Sequence, residues 1–156
     1  FAHMEEIDLC WRFHMLGYRV LAEPSSIVYH KNAVTLPMHS QKKYYLNHRN
    51  SLYMLCSNYS IPLTVYLLPL RIVLDIIAFF YAMSKLNWKH MTAIVMAIFW
   101  LISHPHLIFK KRRKNIHIKS VRDRDIIKNM FRGSIVLVHY ILRKKTYREI
   151  VTNAES

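Results

Sequence analysis

Three of the chain's nine Asp and Glu residues fall within four positions, Glu5, Glu6 and Asp8. Carboxylates set this close raise each other's pKa, and one within hydrogen-bond reach of a substrate hydroxyl can act as its general base. Taken singly, each has an ordinary explanation. Glu5 and Glu6 suit the first turn of a helix, where the dipole favours acids. Asp8 and Arg12 make an exposed i,i+4 pair that stabilises by about 0.3 kcal/mol, and His30 sits at a strand end. The ordered combination carries more: acid, acid, any residue, acid, Leu, two residues, Arg12, then Gly17-Tyr18, Pro24 and His30.

Those residues need elements to hold them. Between 6 and 16 the apolar residues alternate, so strand and helix periodicities compete. Gly17-Tyr18, following good helix formers, reads as a C-cap and decides for a helix over about 5–16. Residues 18–21 and 27–29 are β-branched and aromatic and flank Glu23-Pro24-Ser25-Ser26, the pattern of strand, turn and strand. A second helix is expected over about 40–58. Beyond it, Ser60 can cap and Pro62 occupies an early helical position, opening an apolar arm to Met83. Arg71 and Asp75 interrupt that arm, four apart and able to pair. A second arm, 90–109, holds 20 consecutive residues without Asp, Glu, Lys or Arg, the length a spanning helix needs. The two arms read as a helical hairpin. A further helix is expected from Val121, and the apolar run 134–142 is too short to span.

Composition narrows the setting. The 156 residues carry a formal charge of +14 yet are 53% hydrophobic with two glycines, which fits neither an ordinary soluble domain nor a disordered basic tail. Nucleic acid is not an expected partner, because many of the aromatics that would stack on bases fall in the apolar arms. A membrane is. If both arms span, Lys42, Lys43, Arg49 and the 110–114 KKRRK run place both flanks on the cytoplasmic side. Arg71 and Asp75 would each cost roughly 2.5–3.5 kcal/mol at midspan, so a hairpin lying in the interface competes with a spanning one. Cys10 and Cys56 give no disulfide framework and no zinc motif. The chain does not begin with Met and its motif starts at once, so a missing N-terminal portion is expected.

Residues 4–30, MEEIDLCWRFHMLGYRVLAEPSSIVYH, resemble the C-terminal part of the catalytic domain of family-2 glycosyltransferases, with their Glu-Asp-x-Asp-Leu-x-x-Arg stretch, Gly-Tyr pair and closing Val-Tyr-His. Residues 42–55, KKYYLNHRNSLYML, resemble the Tyr-x-x-x-Arg-Asn segment that often follows, and FRGSIVLVHYILRKKTYREI resembles the ending of membrane-associated members. The resemblance implies an α/β fold over 1–60, the C-terminal part of a GT-A, Rossmann-like nucleotide-sugar transferase domain. A hydrophobic helical hairpin over 61–109 and a basic helical tail over 110–156 would follow it.

It also implies roles. Glu6, where the family commonly has Asp, would deprotonate the acceptor hydroxyl. Glu5 would support it, and Asp8 would position Arg12 or the acceptor. Arg12 would bind substrate, Arg49 and Asn50 would either contact donor phosphate or acceptor or tie the second helix to the domain, and His30 would complete a divalent-metal site, Mn2+ or Mg2+, whose remaining ligands lie in the missing portion. The partners implied are a nucleotide-sugar donor and a lipid-linked or polysaccharide acceptor at the cytoplasmic face of the membrane. A non-enzymatic membrane adaptor with a basic lipid- or partner-binding tail is the alternative.

Overall fold

A computed structural model describes residues 3–29, 37–128, 130, 138, 139, 143, 146 and 149. Its described elements are six helices: α1 (Glu5–Met15), α2 (Gln41–Asn58), α3 (Ile61–Ser84), α4 (Trp88–Ser103), α5 (Pro105–Ile118) and α6 (Asp123–Ile127). The chain divides into two compact units, Phe1–Ser120 and Val121–Ser156. In the second, α6 is five residues long with Ile126 and Asp123 buried and an exposed Asp125–Lys128 pair at 3.7 Å. The helix expected from Val121 begins at Asp123 and is described to Ile127, and 134–142 lies largely outside the described residues.

The expected α/β remnant is not there. Among the described residues the first unit is helical and holds no strand. The turn at Glu23-Pro24-Ser25-Ser26 forms, closed by the Ser26 amide donating to the Glu23 carbonyl at 3.1 Å. Among the described residues its flanks pair with no strand: Tyr18, Leu21, Ile27, Val28 and Tyr29 are all exposed, Tyr29 to 95%. β-Branched and aromatic residues favour a strand through cross-strand neighbours and burial rather than through the backbone alone, and neither is supplied here.

The helices follow local chemistry. α1 ends where Gly17-Tyr18 predicts, in a Schellman motif. Gly17 takes φ 86°, its amide donates to the His14 carbonyl at 3.0 Å, and the Tyr18 amide reaches the Phe13 carbonyl at 2.9 Å. The Tyr18 ring meets Phe13 edge-on at 6.1 Å. Helical periodicity then sorts the alternating apolar residues of α1. Trp11 and Met15, one turn apart, are buried, and Ile7, Leu9, Phe13 and Leu16 are exposed. Ser40 caps α2 through its hydroxyl, and Asn87 caps α4 by accepting from the His90 amide at 3.1 Å.

α3 and α4 are joined by a turn at 85–87, with Leu86 at φ 52°, and pack against each other. α2 packs against both arms. α3 is 24 residues long, the one helix among the described residues that is by itself long and apolar enough to cross a membrane, and its surface is nearly all open. At 1.5 Å per residue it reaches about 36 Å. The second arm is not a single helix as expected. It breaks at His104-Pro105 into α4 and α5, bent by 70°, because a proline disfavours helical conformation in the residue before it and lacks the amide to continue the ladder. The KKRRK run is therefore the body of α5, not a flank.

Candidate functional site

α1 is held at both its entry and its middle. The buried Asn50 side chain, on α2, donates to the His3 carbonyl at 2.8 Å, just before the acids. His3 and Met4 both take positive φ, 66° and 67°, so the chain turns sharply into Glu5. Four residues on, Asp8 is ion-paired to Lys111 of α5 at 2.6 Å and accepts from Asn58 Nδ2 of α2 at 2.7 Å. Arg12 approaches it only to 3.8 Å. Asn115 of α5 donates to Asn58 Oδ1 at 2.8 Å and to the Ser57 carbonyl at 3.1 Å, and Arg112 donates to the Cys56 and Tyr59 carbonyls. These contacts satisfy the carbonyls at the C-terminal end of α2, which would otherwise be orphaned. Trp11 packs on Tyr59 at 4.3 Å beside them.

The expected site residues therefore separate. Glu5 and Glu6 are exposed on the first turn of α1. Asp8 faces inward and joins α1 to α2 and α5. Arg49 stacks on Tyr45 and Trp100, with its guanidinium 5.4 and 5.3 Å from the ring centres, and donates to Asn50 Oδ1 at 2.9 and 2.7 Å. Arg49 and Asn50 thus brace the entry to α1. His30 lies outside the described residues. Among the described residues no three or more His, Cys, Asp or Glu side chains converge.

Arg12 opens instead onto a cavity of about 470 Å³ between α1, α2 and α5, lined by Tyr53, Lys110, Lys111, Lys114 and Asn115 among others. Lys111 Nζ sits 4.8 Å above the Tyr53 ring. Burial, and then the charge of Asp8, push the Tyr53 phenol above its ordinary pKa, so it stays a neutral donor.

A second polar cluster escaped the sequence reading. Asp75, 2% exposed on α3, accepts from Arg71 Nη2 at 2.9 Å and Nε at 3.2 Å, and its Oδ1 lies 2.8 Å from His48 Nδ1 of α2. His48 Nε2 faces His90 Nε2 of α4 at 3.0 Å, and Tyr44 stacks on His90 at 4.3 Å. The Arg71–Asp75 spacing was visible, but a histidine 27 positions away in sequence was not. With its added partners Asp75 ties α2 and α4 to α3, and its carboxylate faces inward rather than outward.

Compared with protein-family models, curated proteins and solved structures, the chain matches none.

Proposed function

We propose that the chain serves sugar transfer at the cytoplasmic face of a membrane, from a nucleotide-sugar donor to a lipid-linked or polysaccharide acceptor, with inversion. The observation that carries this reading is that Glu5 and Glu6 stand exposed on a helix that Asp8, Asn50 and Asn58 fix to the bundle bearing apolar α3. A general base must be open to its substrate yet held in place. Glu6 takes the acceptor hydroxyl proton as its oxygen forms the new bond to the anomeric carbon, and the nucleoside diphosphate leaves from the opposite face. Glu5 supports that charge arrangement. The likeness of residues 4–30 to family-2 glycosyltransferases supplies the reaction class, without the α/β fold.

The bundle sits in the membrane interface with the outward face of α3 immersed. Val65, Leu70, Val73, Ile77 and Phe80 are exposed there, while α2, with Lys42, Lys43 and Arg49, lies alongside. A fully crossing α3 would draw those cations toward hydrocarbon. Near the surface each cation adds roughly 1 kcal/mol of attraction to anionic lipid.

The adaptor reading is favoured by one observation, that Asp8 is occupied by Lys111 and Asn58. Membranes from cells expressing the full coding sequence, given labelled nucleotide sugars, separate the two. Transfer of label to lipid or polysaccharide with release of nucleoside diphosphate supports the transferase. Membrane binding with no transfer from any donor tested supports the adaptor.

A further inference from the structure

We propose that the cavity between α1 and α5 is a binding site for a diphosphate ester. Arg12, Lys110, Lys111 and Lys114 line it. Asp8 holds Lys111 at 2.6 Å and lies 3.8 Å from Arg12, so one carboxylate stands against four cations. Lys110 and Lys114 are exposed, and among the described residues neither has a recorded ion-pair partner. They are one helical turn apart, where like charges repel. That repulsion persists in the empty cavity and is relieved when an anion enters.

The surplus of three positive charges matches a diphosphate better than a single phosphate. Arg12 can grip two oxygens at once, with the two lysines as point charges beside it. The Tyr53 hydroxyl, now 3.4 Å from the Leu107 carbonyl, marks the neutral wall. The volume, about 470 Å³, exceeds what a diphosphate fills and leaves room for the start of its ester. With Tyr53 covered by Lys111, base stacking of the kind single-stranded nucleic acid uses is not offered. The site deepens the transferase reading, and rests on it only for the choice of esters to test, a nucleoside diphosphate from the donor side or a prenyl diphosphate from the acceptor side.

The test is calorimetric titration of the full chain in nanodiscs with inorganic pyrophosphate, inorganic phosphate, a nucleoside diphosphate and a short-chain prenyl diphosphate. Saturable binding is expected, with pyrophosphate about tenfold tighter than phosphate. The Lys110→Gln/Lys114→Gln variant should lose about tenfold in pyrophosphate affinity. Lys42→Gln/Lys43→Gln, which removes the same charge elsewhere, should change it by less than about twofold. Circular dichroism checks that both variants keep their helices, and Arg12→Lys, which keeps the charge but not the fork, gives an independent reading with a smaller loss. Whichever ester binds more tightly assigns the carrier, and either supports the site. Absence of saturable pyrophosphate binding, or equal losses in the two double variants, overturns it. Pyrophosphate binding without sugar transfer counts against the transferase reading alone, and transfer without pyrophosphate binding counts against this site alone.

Discussion

Asp8 shows how a residue's role depends on partners that local spacing does not reveal. The sequence pairs it with Arg12 four residues on, but its closer partner is Lys111, 103 positions away. Replacing it with Asn strands a partly buried ammonium, so Asp8→Asn should lower stability by about 2 kcal/mol, read as a lower urea midpoint. Lys111→Met in the same chain should recover part of that loss, and no recovery would mean that the pair is not what holds α1. Cys56 offers a separate check on packing at the C-terminal end of α2. Burial pushes its thiol pKa up, with Arg112 opposing, so little thiolate forms near neutral pH. An alkylating reagent at pH 7.5 should modify Cys10 well before Cys56, and mass spectrometry after partial labelling would show it. Equal rates would contradict the burial. The first-turn placement of Glu5 and Glu6 was legible in the sequence because the helix dipole favours acids there. His48 and His90 were not, since their roles appear only once three helices meet.

Among the elements, α1 was the most legible, because its signals agree: acids in the first turn, helical spacing of Trp11 and Met15, and Gly17-Tyr18 at the end. Gly17 stands at φ 86°, where a Cβ clashes. Gly17→Ala should therefore cost about 1 kcal/mol and expose the α1 amides to faster hydrogen exchange, with the α2 amides unaffected. The segments at 18–21 and 27–29 were misread because strand propensity expresses itself through a partner strand. The break at His104-Pro105 was legible in the proline itself. Counting uncharged residues through it produced one long arm from two bent helices, and that error put the KKRRK run on a flank rather than in the body of α5.

For the whole molecule, the charge excess and the apolar arms are reconciled by segregation. The outward face of α3 is apolar, and α5 carries five consecutive cations at 110–114. An interfacial seat predicts that alkaline carbonate releases the protein from membranes and that moderate salt weakens its attachment to anionic vesicles. Retention through carbonate would mean that α3 spans. The proposed sugar transfer does not depend on which seat holds, so its central claim is chemical: that Glu6 takes the proton. The direct measurement is the rate of sugar transfer by the full coding sequence in membranes, compared among the native protein, Glu6→Gln and Glu5→Gln at equal amounts of folded protein. The account predicts a loss of roughly a hundredfold or more for Glu6→Gln and a smaller loss for Glu5→Gln. Turnover by Glu6→Gln within about twofold of the native rate, well short of what losing a general base removes, would contradict it.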